Sequence, residues 1–191
     1  MRLSRLIALF FVIALVAPVS PVSPVSAASA STALPTKQQW LADVSKAMYG
    51  SRAYLGDRLA AAKPGERLAI NLDVDNTALA TRYSPGEAIV VVRRFTRYAH
   101  NHGIAVFFNT GRGPKAAADA RTQLLHAGYT VDRFCHRRTG ERLIHGKERC
   151  RASFVKAGYT IVANVGNRST DFVGGNYERA FMLPNYGNRL G

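Results

Sequence analysis

The sequence predicts an α/β fold built around a mostly parallel sheet. Short apolar runs at 68–74, 104–108 and 158–165 have the length and composition of strands buried on both faces. Polar residues follow each of these runs, and segments with a helical spacing of apolar residues lie between them. Because ligands bind at the carboxyl ends of strands in open α/β sheets, the residues that follow the runs are the first candidates for a functional site.

The amino-terminal segment has the pattern of a targeting signal. Arg2 and Arg5 precede an apolar run at 6–17 that is too short to span a bilayer comfortably. Pro-Val-Ser is then repeated three times, and small residues suit cleavage after either Ala27 or Ala30. We therefore expect a secreted or otherwise extracytoplasmic protein, with an uncleaved membrane anchor as the alternative.

Removal of this signal leaves about 160 residues, which is enough for one domain with a proper core. We divide the chain into a signal peptide at 1–27, a short linker at 28–35 and a single domain at 36–191. After the signal, the sequence contains no further apolar segment that would suit a membrane span.

The chain is strongly basic. The formal net charge is +14, and loss of the two leader arginines lowers it to +12. Such a charge attracts anions, including phosphate esters, nucleic acids and anionic polymers of a cell envelope. The lysines and arginines are scattered, without a long run or interleaved aromatic residues, so specific nucleic-acid binding is not the favoured interpretation.

A helical pattern extends from Thr36 to Leu59, before the first strand. Thr36 is a suitable amino-terminal cap, and apolar residues such as Trp40 and Val44 recur at helical spacing. Gly50 is a point where the helix can be interrupted. We expect Trp40 to pack in the core rather than to contact a ligand.

The first strand ends in Asp73 and Asp75, separated by one residue. Two carboxylates so placed can divide the work of phosphoryl transfer, because one can attack phosphorus or hold a metal while the other handles the proton of the leaving group. Thr77 can bond the turn and fix both acids. A calcium loop is a poorer explanation, because Ala78 stands where such a loop needs glycine. A solvated acidic turn is the remaining alternative.

The second apolar run leads into Thr110, Gly111 and Arg112. A hydroxyl and adjacent backbone N–H groups at the end of a strand can bond phosphate oxygens, and a glycine there lets the backbone approach closely. Taken alone, an ordinary strand-to-helix turn capped by Thr110 explains this segment equally well.

The other elements follow from the same reasoning. We expect helices at 87–102, 114–126 and 147–157, and strands at 129–134, 158–165 and 177–183. The apolar positions expected to face inward are Ile89, Val92, Phe95, Ala99, Ala117, Ala118, Leu124, Leu125, Phe154 and Val155. His100 and His102 lie two residues apart, so a helix would not bring them together around a metal ion.

Four short motifs in this order resemble those of the haloacid-dehalogenase superfamily, particularly its secreted acid phosphatases of the class B and plant types. They are Asp73-x-Asp75-x-Thr77, the strand ending in Thr110, the Lys147-x-x-x-Arg151 pattern, and the segment from Gly166 to Asp171. The resemblance extends from about 40 to about 184. It implies a Rossmann-like three-layer sandwich whose parallel sheet has the strand order 5-4-1-2-3.

The resemblance also implies a mechanism of phosphomonoester hydrolysis. Asp73 would attack phosphorus and form an aspartyl-phosphate, and Asp75 would protonate the leaving oxygen and later activate water. Thr110, Gly111 and Arg112 would bind the phosphate, and Lys147 would neutralise charge in the transition state. Lys156 is a rival for the role of that lysine.

An obligatory Mg²⁺ is a further implication of the resemblance. Its ligands would be Asp73, the backbone carbonyl of Asp75, Asn167 and Asp171. The family places an acid where this sequence has Asn167. An amide oxygen can bind Mg²⁺ but brings no charge, so we expect weaker metal binding and a lower rate.

Some members of the superfamily carry a cap domain over the site. Only 26 residues separate Thr77 from Ile104, and 12 separate Phe134 from Lys147. Neither segment is long enough for a folded cap, so we expect an open site that selects its substrate weakly.

Cys135 and Cys150 are the two cysteines of the chain. An even count in an exported protein favours a disulfide, and two buried free thiols are the alternative.

Two other functions remain open at this point. Asn167 could mark a secreted protein that binds phosphate or envelope polymers on the same scaffold with weakened catalysis. A nonspecific nucleic-acid binder would instead show a steep dependence on salt and none on Mg²⁺.

Overall fold

A computed structural model gives the fold, and it describes residues 33–190. The predicted signal peptide and most of the predicted linker lie outside these residues. Within 33–190, no helix is long and apolar enough to cross a membrane.

Helices and strands alternate along the chain after two initial helices. The helices are α1 (Lys37–Ala47), α2 (Ser51–Ala60), α3 (Val90–Asn101), α4 (Pro114–His126) and α5 (Leu143–Lys156). The strands are β1 (Arg67–Leu72), β2 (Ala105–Thr110), β3 (Arg133–His136), β4 (Tyr159–Gly166) and β5 (Arg179–Met182), with a short 3₁₀ turn at Ser169–Asp171.

The five strands form one parallel sheet in the order β3-β2-β1-β4-β5, so the predicted strand order is confirmed. Alternate residues of β1 face opposite sides of this sheet. Ile70 and Leu72 join the larger core, which includes Trp40 and Phe95, whereas Ala69 joins a smaller core. Burial on both faces explains why the strands read as nearly continuous apolar runs.

Two predicted element boundaries are wrong because the backbone hydrogen bonds of the preceding turns continue further than expected. Helix α3 begins at Val90 rather than at 87, since the Ala80 N–H donates to the Glu87 carbonyl and the Ile89 N–H to the Ala78 carbonyl. Strand β3 begins at Arg133 rather than at 129, because the Tyr129 N–H still donates to a carbonyl of α4.

Helix α5 begins at Leu143, one turn before the predicted start at Lys147. Arg142, the N-cap residue that precedes the helix, makes no side-chain hydrogen bond to the first turn, so the sequence lacks the usual signal for a helix start. Three predicted inward positions are also wrong. Leu125 and Val155 are 45% and 40% exposed, and Ala118 is exposed too. Each lies one position from a buried residue of the same helix, so small errors of phase account for all three.

A disulfide joins Cys135 of β3 to Cys150 of α5, with their Cα atoms 5.7 Å apart. It closes a loop of 15 residues, for which the chain-entropy model gives a stabilisation of about 3 kcal/mol. We therefore expect the double variant Cys135→Ser, Cys150→Ser to lose about this much unfolding free energy in urea titrations. Dithiothreitol should destabilise the parent protein but not the variant, and equal stability of the two proteins would contradict the prediction.

Candidate active site

The polar residues predicted from the sequence meet at the carboxyl edge of the sheet. A cavity of about 370 Å³ lies there. Its lining residues are Asp73, Asp75, Asn76, Thr81, Gly111, Arg112, Leu143, Lys147, Asn167, Arg168, Thr170, Asp171 and Leu190. A larger depression of about 790 Å³ lies at the opposite edge, but its acids are already engaged: Glu66 pairs with Arg58, and Asp132 accepts a backbone hydrogen bond.

Lys147 lies between two buried carboxylates. Its ammonium pairs with Asp73, lies 2.8 Å from Asp171 Oδ1 and donates to the Asn109 carbonyl at 2.6 Å. Burial alone would lower the pKa of Lys147, but Asp171 and Asp73 outweigh it and raise that pKa. The side chain is 4% exposed and remains charged, as a lysine that neutralises a buried carboxylate must.

Asp73 has an unusual environment for a carboxylate. Burial raises its pKa to about 6, with Asp171 and Asp75 adding to the rise and Lys147 opposing it. Thr77 donates its hydroxyl to Asp73 Oδ2 at 3.2 Å and so orients the carboxylate directly rather than through the turn backbone. A buried, oriented carboxylate at the bottom of an open cavity is suited to nucleophilic attack.

Asp75 is engaged by Arg112 through two hydrogen bonds, of 2.9 Å from Nε and 2.5 Å from Nη2. Thr81 donates a third at 2.8 Å. Burial acts to raise the pKa of Asp75, but the hydrogen bonds and charge of Arg112, the Thr81 hydrogen bond and the charge of Lys147 together lower the pKa. The sequence predicts a phosphate-binding role for Arg112, and in the structure this arginine is paired with a carboxylate at the cavity wall. The contact from Thr81 has no counterpart in the sequence analysis.

Thr110 is the last residue of β2 and Gly111 follows it, as predicted, but only one of the two lines the cavity. Thr110 is 1% exposed, and its hydroxyl accepts the Arg112 N–H at 3.2 Å. Gly111 lines the cavity, and a Cβ at this position would collide with Leu143 at the start of α5. Any other residue at 111 would force the end of the Leu143 side chain to turn away.

Asp171 is the most completely bonded group of the site. Its Oδ2 accepts the N–H groups of Asn167 at 3.1 Å and Arg168 at 2.9 Å, while its Oδ1 faces Lys147. Asn164 of β4 donates to the Asp171 carbonyl at 2.8 Å and accepts from Asn71 of β1 at 2.6 Å. This chain explains Asn71, the polar residue that interrupts the first apolar run.

The donors predicted to hold a metal all lie at this edge. They are oxygen donors, the kind that Mg²⁺ prefers, so the set fits a hard divalent cation in its chemistry. Two of its carboxylates share Lys147, and Asn167 supplies a neutral amide in place of another acid. Within residues 33–190 no group of three or more His, Cys, Asp or Glu side chains is spaced to hold a metal ion.

Arg151 has a larger structural role than the sequence indicates. It is completely buried and donates to the carbonyls of Asp171 at 2.7 Å, Gly175 at 2.8 Å and Val173. It lies one helical turn after Lys147, so α5 supplies both the ammonium of the site and the guanidinium that holds the segment after β4. The Lys147-x-x-x-Arg151 spacing was the available signal for this arrangement.

Gly166 leaves no room for a side chain next to Asp171. A Cβ at this position would lie 2.5 Å from Asp171 Cβ and Oδ2. We expect Gly166→Ala to displace Asp171 and to reduce the unfolding free energy by roughly 1–3 kcal/mol, as overpacking does elsewhere. Gly113→Ala is the matched control, because a Cβ there meets nothing within 4 Å. Urea unfolding of the two variants checks the prediction, and equal stabilities would refute it.

Comparison with known proteins bears on the fold and the family. The family model described as HAD superfamily, subfamily IIIB (acid phosphatase), matches residues 84–189. The match begins after Asp73 and Asp75, so the placement of these acids rests on the structure. No curated protein sequence matches this chain.

Two solved structures have a similar fold. The class C acid phosphatase from Bacillus anthracis superposes with a TM-score of 0.64 at 17% identity, over 79% of this chain and 80% of that chain. A structure of the class C acid phosphatase from Bacillus anthracis with tungstate bound gives a TM-score of 0.62 at 20% identity, over 79% and 80% of the two chains. At such identities the likeness establishes the fold.

Proposed function

The chain belongs to the HAD superfamily, subfamily IIIB (acid phosphatase), and from this membership we propose that it is an exported, Mg²⁺-dependent phosphomonoester hydrolase. The observation that carries the proposal is the arrangement at the carboxyl edge of the sheet. A buried Asp73 is paired with Lys147, and Asp75 stands two residues away at the wall of the same cavity. A protein that only bound phosphate would have no need of a nucleophile with an acid beside it.

In the proposed reaction, an Asp73 carboxylate oxygen attacks phosphorus and displaces the alcohol oxygen of the substrate. The product of this step is an aspartyl-phosphate on Asp73, and the departing oxygen takes a proton from Asp75. Water then gives a proton to Asp75 and attacks the same phosphorus, which releases phosphate and restores the Asp73 carboxylate. Lys147 stabilises the charge that gathers on the phosphoryl oxygens, and the Gly111 N–H supplies a hydrogen bond to them. The buried Thr110 hydroxyl supports this turn by accepting the Arg112 N–H instead of contacting the substrate.

Arg112 links substrate binding to the protonation of Asp75 in this proposal. While Arg112 holds Asp75, the pKa of that carboxyl lies below its ordinary value, so Asp75 is a poor proton donor. A phosphate entering the cavity competes for the Arg112 guanidinium, because both anions suit its two-pronged geometry. Transfer of Arg112 to the phosphate would free Asp75 to carry the proton.

Mg²⁺ would be held by Asp73, the Asp75 backbone carbonyl, Asn167 and Asp171. When bound, it would neutralise phosphoryl charge and orient the group for attack. Support for this assignment comes from the oxygen-only donor set at the cavity wall.

The direct test is hydrolysis of a generic aryl phosphate by the purified protein, with Mg²⁺ and with a chelator. Turnover that needs the metal is the expected result. Absence of turnover at any Mg²⁺ concentration would refute the proposed activity.

Asn167→Asp is expected to strengthen Mg²⁺ binding. The change adds one negative charge beside the metal ligands, and a single nearby charge is enough to improve the dissociation constant on the order of tenfold or more. Calorimetric titration with Mg²⁺ measures this without reference to activity. Asn101→Asp, at the carboxyl end of α3, makes the same charge change outside the cavity lining and serves as the control.

The Asn167→Asp variant also distinguishes a phosphatase from the alternative function, a secreted protein that only binds phosphate or envelope polymers. A phosphatase tuned by Asn167 turns over substrate before the change and needs less Mg²⁺ after it. A binding protein on this scaffold, with anionic envelope polymers as partners, is inactive until Asp replaces Asn167.

Export is supported by the leader pattern and by the disulfide, which persists in oxidising compartments. Detection of the processed chain outside the cytoplasm would test it, and retention of the full-length chain inside would contradict it.

A further inference from the structure

The excess of positive charge is not evenly spread over the loops of the protein. The loops at the cavity edge are 73–89 after β1, 111–113 after β2, 137–142 after β3, and the start of the segment after β4. Every acidic side chain in these loops is in an ion pair. The pairs are Asp73–Lys147, Asp171–Lys147, Asp75–Arg112, Glu87–Lys37 and Glu141–Arg149.

Four exposed or cavity-lining arginines in these loops have no such partner among residues 33–190. Arg82, Arg138 and Arg142 are exposed and form no ion pair with a carboxylate there, and Arg168 lines the cavity itself. Arg82 and Arg142 directly adjoin Thr81 and Leu143, which also line the cavity. We call Arg82, Arg138, Arg142 and Arg168 the arginine rim. They are far apart in the sequence, and the parallel sheet brings their loops to one edge.

The positive charge of the arginine rim exceeds the charge needed to bind one phosphomonoester. Inside the cavity, Asp73, Asp75 and Asp171 outnumber Lys147 and Arg112 by one charge. A phosphate dianion there is balanced once Mg²⁺ and the cavity-lining Arg168 are counted, so Arg82, Arg138 and Arg142 are left to meet charges further along the substrate. No aromatic side chain is found among the cavity-lining residues of the described chain. The cavity wall therefore offers cations for phosphate groups but no aromatic surface on which a base would stack.

We infer that the substrate is a phosphomonoester at the end of a chain of phosphodiesters, held by the arginine rim through its further phosphates. The inference rests on the proposed phosphatase function and specifies its substrate class. Short loops around the site leave the edge open, so such a chain can continue outward from the cavity. Recognition would depend on the phosphates and not on the bases.

The test compares three probes that present the same scissile group. They are thymidine 5′-phosphate, 5′-phosphorylated tetrathymidylate, and a 5′-phosphorylated tetramer of abasic deoxyribose phosphates. At low salt we expect kcat/KM for both tetramers to exceed that of the monomer roughly tenfold or more, with the ratio falling towards one as salt rises. Equal values for monomer and tetramers would overturn the inference, and so would a preference confined to the tetramer that carries bases.

Two triple variants locate the effect. The rim variant is Arg82→Gln, Arg138→Gln, Arg142→Gln. The control is Lys63→Gln, Arg94→Gln, Arg97→Gln, which removes the same charge from exposed positions outside the cavity lining. The tetramer-to-monomer ratio should fall by most of its value in the rim variant and stay unchanged in the control. An equal fall in both would assign the preference to overall net charge and refute the rim.

Failure of the inference and failure of the proposed function give different results. Turnover of an aryl phosphate and of all three probes at similar rates leaves the phosphatase standing and removes the substrate class. If nothing is turned over, the phosphatase is refuted. Fluorescence anisotropy with a labelled phosphorylated tetramer then still decides the inference, since the rim variant must bind more weakly than the control variant.

Discussion

Asp73→Asn is expected to abolish hydrolysis of an aryl phosphate, with a loss of at least about a thousandfold in kcat. The amide preserves the shape of the side chain but cannot attack phosphorus as a carboxylate does. Steady-state kinetics at saturating Mg²⁺ measure the loss. Asp57→Asn, at an exposed position of α2, is the matched control and should keep full activity. Undiminished hydrolysis by Asp73→Asn would exclude Asp73 as the nucleophile.

The same variant has an expected effect on stability in metal-free buffer. Burial raises the pKa of Asp73 to about 6 in the folded protein, whereas an unfolded aspartate titrates near about 4. The folded state therefore holds this proton more tightly, so the contribution of Asp73 favours folding at acidic pH and is lost as the pH rises through the window from about 4 to about 6.

It follows that Asp73→Asn should unfold at a higher temperature than the parent protein above this window, in the presence of a chelator. The difference should shrink as the pH is lowered towards about 4, where the parent side chain is protonated in the folded state and increasingly so in the unfolded one. A variant that is less stable than the parent at neutral pH would show that the Lys147 contact outweighs the burial of the charge.

The sheet and the centre of the site are predictable from sequence because they depend on short-range patterns. Apolar runs mark buried strands, and the carboxyl ends of parallel strands meet at one edge, so the sequence alone places Asp73, Asp75 and Thr110 together. The sequence also assigns Lys147 to this edge, although it places the start of the lysine's helix one turn too late. No capping side chain marks the start of α5, so the sequence carries no signal for that boundary.

The features that sequence reasoning missed depend on contacts between distant residues. The pairing of Arg112 with Asp75 and the hydroxyl of Thr81 on the same carboxylate join loops that follow different strands. The arginine rim has the same origin, since charges that look scattered along the chain lie in loops that the sheet gathers. Spacing within one segment gives no information about such contacts.

Arg151→Met should cause the largest loss of stability among single substitutions near the site. The methionine keeps the apolar stem but removes the guanidinium, which leaves the part-buried carbonyls of Val173 and Gly175 without this donor. The Asp171 carbonyl keeps its hydrogen bond from Asn164. Each unsatisfied buried acceptor costs about 1–3 kcal/mol, so the two carbonyls that lose their donor predict a loss of about 2 kcal/mol or more. That is a large fraction of the roughly 5–15 kcal/mol that stabilises an ordinary domain.

Urea unfolding of Arg151→Met beside Arg121→Met, at an exposed position of α4, measures this loss against a matched change. Arg151→Lys should recover only part of it, because one ammonium cannot reach three carbonyls that a planar guanidinium spans. Since Asp171 is one of the three, the Mg²⁺ affinity of folded Arg151→Lys should also fall. Equal stability of Arg151→Met and Arg121→Met would mean that backbone rearrangement or water satisfies these carbonyls, and that Lys147 and Asp73 keep their geometry without the Arg151 contact.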